Sequence, residues 1–372
     1  MTRATFAQRV VAWQREHGRH DLPWQNTRDP YRIWLSEVML QQTQVATVLP
    51  YYQRFLASYP DVAALAAASV DDVLAHWSGL GYYRRAHHLH AAARQVMSEH
   101  GGVFPRDSRS LVALSGIGRS TAAAIASFAS GERGAILDGN VKRVVARHRA
   151  VEGHPSTPAV LAQLWRAAES LLPDRDDDMP AYTQGVMDLG ATVCLPRNPG
   201  CLFCPVANDC VARIDGRIDA IPAPKPLRTR PHRAVRLLLI EYDERILLEH
   251  RPPTGVWGGL WSLPEVSLDT DPRSEALRRF AIDADEPESL PEIRHGFTHF
   301  ELTLHPQRLR VRRVANACVD ECVRWLAIED ALVLGLPSPI RKLLRELAQP
   351  DQRGIGAAHA RRSSGRRASA SG

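Results

Sequence analysis

Apolar positions recur at helical spacing through the first half of the chain and at strand spacing in the second. Residues 4–17 put Phe6, Val10 and Trp13 on one stripe, which predicts an amphipathic helix. The polar loop HDLPWQNTRDPY follows, and its Asp29 and Pro30 stand in the order of a helix cap and a first-turn proline. The predicted helix carries WLSEVMLQQTQV. Ile33, Val38 and Leu40 are placed to pack inward, with Glu37, Gln41 and Gln44 sharing the opposite face. A solvated face explains that set, and so does the polar lining of a pocket.

Residues 62–74 form an Ala-rich stretch expected as scaffold helix. WSGLGYY at 77–83 breaks the helical pattern with two glycines and sets paired tyrosines beside Arg84 and Arg85. That composition suits base stacking with phosphate contact, or equally a buried turn. Helix resumes over 86–100 and stops at Gly101 and Gly102. No convincing strand precedes residue 190.

Between lies LVALSGIGRSTAAAIASFASGERGAILDGNVKRVV. Gly116 and Gly118 permit positive φ and close backbone approach, and Ser120 and Thr121 are expected to cap a helix of small residues. Amides at such a turn can bind an anion such as a DNA phosphate. An ordinary αα-hairpin reads the same way. Asp138 stands just ahead of another helix carrying Lys142 and Arg143, where it is either a cap or a functional acid.

Cys194, Cys201, Cys204 and Cys210 form C-x6-C-x2-C-x5-C. Four cysteines in so short a run are a metal-ligand pattern, for zinc or an iron–sulfur cluster. Arg197 sits inside the first gap, where it can touch a phosphate. The Pro-rich basic stretch 215–232 reads as a linker. Beyond it, 235–240 and 245–249 read as strands around the turn EYDE, LTLHP and LRVRR as two later strands, and 339–348 as a closing helix. The residues from 349 onward are low-complexity, basic and expected to be disordered. Cys318 and Cys322 read as ordinary thiols.

Composition narrows this further. The 372 residues are 44% hydrophobic and 24% charged, as in a globular two-domain protein. Net charge is +6, which favours a polyanionic partner. The first residues fit neither a signal peptide nor a membrane span, so a cytoplasmic location is expected.

Taken together, LSEVMLQQTQVATV, GLGYYRRA, GIGRSTA, ILDGNVKRV, the cysteine run, RPPTGVWGGLW and HGFTHF resemble the MutY-type adenine DNA glycosylases, in that family's order. The resemblance covers roughly residues 5–345. It implies an α+β multidomain protein: an all-α helix-hairpin-helix glycosylase domain over 1–214, the linker, and a Nudix-like damage-recognition domain over 233–348. It further implies one [4Fe-4S] cluster on the four cysteines. The implied partner is double-stranded DNA carrying adenine opposite 8-oxoguanine or guanine, bound by a nucleoid-associated monomer.

By that resemblance Glu37 protonates the leaving adenine, while Asp138 stays ionised and faces the sugar cation. Asn140 positions that carboxylate, Tyr82 lines the pocket and Gln42 enters the base stack. Gly116, Gly118, Ser120, Lys142 and Arg197 face DNA. Relatives that also cut the strand carry a hairpin lysine, which GIGRST lacks, so hydrolysis to an abasic site is expected. Ser115 replaces the family's proline and is expected to loosen the loop. Phe297, Thr298 and His299 stand at the loop that detects 8-oxoguanine. DPRSEALRRF lacks the glutamates of a Nudix hydrolase, so nucleotide hydrolysis is not expected.

Overall fold

The computed structural model describes residues 4–224, 229–314 and 322–349. The chain divides into two compact units, Met1–Thr229 and Arg230–Gly372. The first is helical: α1 (Phe6–His17), α2 (Pro30–Leu40), α3 (Val45–Ser58), α4 (Val62–Ala67), α5 (Val70–Trp77), α6 (Arg84–Glu99), α7 (Ser108–Leu111), α8 (Arg119–Ser130), α9 (Gly139–Arg149), α10 (Pro158–Glu169), α11 (Met179–Asp188) and α12 (Val211–Ile214). Helix α1 opens with a reciprocal capping box between Thr5 and Gln8. At the start of α2, Asp29 accepts from the Tyr31 N–H and Pro30 takes the first turn, as the sequence indicated.

Two helices depart from expectation. The 62–74 stretch is split, because Ser69 caps α5 by accepting from the Asp72 N–H. Helix α2 stops at Leu40, so Gln41 and Gln44 lie outside it and do not share a helical face with Glu37. Arg85 explains that stop: it donates to the carbonyls of Val38 and Met39, which the helix end leaves open.

Trp34, Trp77, Tyr52 and Phe55 are fully buried. Helix α2 packs against α8, whose buried Ala122, Ala124 and Ala126 permit close approach. Gly116 sits between α7 and α8 at φ +75, and a Cβ there would lie 2.5 Å from the Cβ of His88. Gly118 instead has an ordinary φ of −88 and caps α8. Of the two hairpin glycines that permit positive φ, Gly116 adopts it and Gly118 does not.

The second unit comprises β1 (His232–Tyr242), β2 (Arg245–His250), β3 (Trp261–Ser262), β4 (Glu265–Val266), α13 (Pro272–Phe280), β5 (Ile282–Ala284), β6 (Glu288–Ser289), β7 (Ile293–Gly296), β8 (Glu301–Val314), β9 (Val323–Leu326), α14 (Ile328–Ala331) and α15 (Ser338–Ala348). The sheet is mixed, in the order β3-β2-β1-β8-β5, with β1 and β2 joined at the expected turn. LTLHP and LRVRR form one strand, β8, rather than two. Its parallel partner β1 continues in register from His232 opposite Glu301 to Glu241 opposite Arg310. Leu238, Ile240, Leu247, Phe280 and Leu309 share a core there.

The stretch read as a linker begins as packed structure. Arg147 donates to the Ile218 and Ile221 carbonyls, and Ile221 is buried. Strand β1 then starts at His232, inside the stretch first read as linker. The basic tail from 350 and Cys318 lie outside the described residues. Among those described, no helix is long and apolar enough to cross a membrane.

Gly116→Ala should lower stability by about 2 kcal/mol or more, since it adds a left-handed backbone penalty and a clash with His88. Gly118→Ala, whose Cβ meets nothing within 4 Å, should change stability by less than about 1 kcal/mol. Urea unfolding at neutral pH checks both; equal losses would contradict the assignment.

Candidate active site

Glu37 is the one carboxyl on α2, among buried Ile33, Trp34, Leu35, Ser36, Val38 and Met39. Part of the residue stays accessible, but protein packed around the carboxyl strips away its hydration. That burial, and then the charge on Asp138, push its pKa up to about 8. The two acids therefore share one electrostatic environment.

Asp138 is the N-cap of α9 and accepts from the Val141 N–H at 2.7 Å. Burial pushes this carboxyl upward too, against the opposing pull of the Val141 and Asn140 amides and the Arg143 and Lys142 charges. The expectation of an ionised Asp138 thus meets an opposing desolvation. No such donors offset the burial of Glu37, so a proton shared by the pair rests on Glu37.

Ser120 is not a cap. Gly118 holds that position, and the Ser120 Oγ turns inward to accept from the Leu137 N–H at 2.8 Å. The hydroxyl thereby ties α8 to the residue before Asp138. Nor does Ser115 loosen the turn. Its N–H donates to Gln95 Oε1 at 2.7 Å, a bond proline cannot make, and its Oγ lies 2.8 Å from His88 Nδ1.

Helix α9 joins Asp138 to the cysteine segment. Arg143 donates to the Asn140 Oδ1 (2.9 Å), the Gly190 carbonyl (2.5 Å) and the Cys194 carbonyl (2.6 Å). The Asn140 side chain is thus engaged by Arg143, while its backbone amide faces Asp138. One turn on, buried Arg147 reaches the Leu195 and Pro196 carbonyls at 2.7 and 3.1 Å and Cys194 Sγ at 3.4 Å. Arg197 is exposed on the loop so held. The bridging role of Arg143 and Arg147 escaped the sequence reading, although their i, i+4 spacing on α9 was available as a signal.

Cys194, Cys201, Cys204 and Cys210 line one recess with Arg147 and Arg213. Burial and the neighbouring sulfurs push the Cys204 thiol up to about 11. Among the described residues, no three His, Cys, Asp or Glu side chains group closely enough for a single metal ion.

Gln42 and Tyr82 occupy turns beside α2 and α6, both exposed. Arg84 is exposed, whereas Arg85 is buried and spent on protein carbonyls, which removes it from the expected phosphate contacts. In the second unit, 297–300 form the tight turn between β7 and β8, closed by the Phe297 N–H on the Phe300 carbonyl at 2.9 Å. Phe297 is not free-standing: it stacks on Phe300 and packs against Trp257 and His295. Thr298 and His299 are exposed at the tip. On α13, Arg278 and Arg279 pair with Glu275, and Arg279 also pairs with Glu249. Arginines thus neutralise these carboxylates.

Residues 35–170 match the family described as HhH-GPD superfamily base excision DNA repair protein, and residues 235–346 match the NUDIX domain. An adenine DNA glycosylase of Buchnera aphidicola (subsp. Acyrthosiphon pisum) is 32% identical, with 92% of this chain and 98% of that protein aligned. The adenine DNA glycosylase of Homo sapiens is 33% identical, covering 91% of this chain and 73% of that protein. A solved thermostable thymine-DNA glycosylase superposes with a TM-score of 0.50 at 28% identity, over 56% of this chain and 95% of that one. With a base-excision-repair family match over residues 35–170 and relatives aligned along nearly its whole length, the chain belongs to the adenine DNA glycosylase family.

Proposed function

We propose that this base-excision-repair glycosylase removes adenine opposite 8-oxoguanine or guanine in duplex DNA and leaves an abasic site. The observation that carries the reading is the protonated Glu37 beside Asp138: loss of hydration first, and then the Asp138 charge, keep a proton on Glu37. An adenine in a stacked duplex is out of reach, so it is extruded into the pocket. Glu37 gives its proton to the departing base as the C1′–N bond breaks. Asp138, held by the Val141 and Asn140 amides, faces the cationic sugar. Water then adds at C1′ and returns a proton to the carboxylates. The hairpin has serine where a strand-cutting relative has lysine, and Ser120 is engaged with Leu137, which supports hydrolysis without a Schiff base.

The hairpin amides at Gly116 and Gly118, with Lys142 and Arg197, are assigned to the DNA backbone, and Gln42 to the gap in the base stack. The turn bearing Phe297, Thr298 and His299 is assigned to the base opposite adenine. The four cysteines would hold one [4Fe-4S] cluster. Their shared recess fits it, and Arg147 and Arg213 balance the negative charge of an iron–sulfur centre with four thiolates. Bound there, it would brace the Arg197 loop.

Glu37→Gln and Asp138→Asn should each slow adenine release by roughly 100-fold or more while duplex affinity stays near wild type. Single-turnover assays on an A·8-oxoguanine duplex followed by alkali read the rate; unaltered release would refute the assignment. The rate should also fall as pH rises through about 8, because Glu37 is a usable acid only while protonated. A rate that climbs across that interval would argue against Glu37 as the proton donor. The purified protein should absorb near ~410 nm, with loss of the band on Cys204→Ser. Stoichiometric zinc in place of that band would reject the cluster.

A further inference from the structure

Arg85 lies on α6 and is only 9% exposed. Its guanidinium donates on two fronts. Nη1 reaches the carbonyls of Val38, Met39 and Gln41 at 2.9, 2.8 and 2.7 Å. Nη2 reaches Thr43 Oγ1 at 3.2 Å and the Leu80 and Gly81 carbonyls at 3.4 and 3.2 Å. The first set belongs to the end of the Glu37 helix and the turn that follows it. The second spans that turn and the glycine turn leading to Tyr82. The plane also lies over the rings of Trp77 and Tyr82.

Both turns carry a non-glycine residue in the left-handed region, Gln42 at φ +57 and Tyr82 at φ +48. Such backbone persists only where its surroundings over-determine it, and strain of this kind gathers at functional sites. One guanidinium touches the backbone on both sides. The glycine turn has its own supports: Trp77 Nε1 donates to the Gly81 carbonyl, and Tyr51 Oη to the Ser78 carbonyl. The Trp77 bond fixes the turn internally, and the Tyr51 bond ties its start to α3. Among these contacts, Arg85 is what links it to Gln41 and Thr43. A lysine keeps the charge but lacks the planar fork that reaches both sets of acceptors.

We propose that Arg85 is a positioning residue that locks the Gln42 turn, the Tyr82 turn and the Glu37 end of α2 into one register. Entry into the base stack, reception of the extruded nucleotide and delivery of the proton then occur in a single arrangement. This inference rests on the function proposed above and adds a determinant of extrusion that lies outside the chemistry.

The test uses the full chain with Arg85→Lys and Thr43→Val, on a duplex carrying 2-aminopurine or adenine opposite 8-oxoguanine. Arg85→Lys should bind DNA with affinity near wild type, yet release adenine roughly 10- to 100-fold more slowly and lose the fluorescence rise that reports extrusion. The shape of its pH profile should not move, since Glu37 is untouched. Thr43→Val removes one acceptor and should slow release about fivefold with a weaker fluorescence rise. Wild-type rate and fluorescence in folded Arg85→Lys would overturn the proposal. So would a loss that merely tracks the fraction unfolded in urea. Should Arg85→Lys fail to fold, wild-type behaviour of Thr43→Val overturns it instead. A wild-type enzyme that releases no adenine refutes the proposed function; an active one indifferent to both changes refutes this inference alone.

Discussion

Placing one carboxyl where another already lies, with little water to screen them, is the constraint on which the structure depends. Two neighbouring carboxylates cannot both ionise cheaply in a dehydrated site. The fold resolves this by unequal support. Asp138 sits at a helix start with two amides and two cations around it, while Glu37 sits within α2 among mostly apolar buried side chains. The same asymmetry favours the proton on Glu37 and the charge on Asp138.

Much of the remaining helical unit serves to hold that pair. The small residues of α8 let α2 come near, and Ser120 fastens α8 to the residue preceding Asp138. Helix α9 carries Asp138 at one end and grips the cysteine segment through Arg143 and Arg147. One helix thereby joins the cysteine recess to the acid. The second unit contributes differently. Its exposed turn stands on an aromatic base of Phe297, Phe300, Trp257 and His295, and arginines neutralise the carboxylates of α13 and β2.

Local chemistry was legible in the sequence. Asp29 followed by Pro30 starts a helix, glycine and asparagine or aspartate mark turns, and closely spaced cysteines come to line one recess. What could not be read was set by distant partners. Gln41 and Gln44 fit a continuous helix until Arg85, some forty residues on, takes the carbonyls at its end. LTLHP and LRVRR look like two strands until β1 pairs without a break from Glu301 to Arg310 and β5 takes up the end of the same strand. Ser120 has cap chemistry, yet the buried Leu137 amide claims its oxygen. The level of the Asp138 pKa likewise depended on how deeply the fold buried it.

The most direct test is to titrate the Glu37 carboxyl itself, by site-resolved carbon NMR or difference infrared spectroscopy, in the wild type and in Asp138→Asn. The account predicts a proton retained to pH of about 8 in the wild type and lost at lower pH once the Asp138 charge is gone. A Glu37 that titrates near the ordinary value of about 4.3 in both proteins would contradict it.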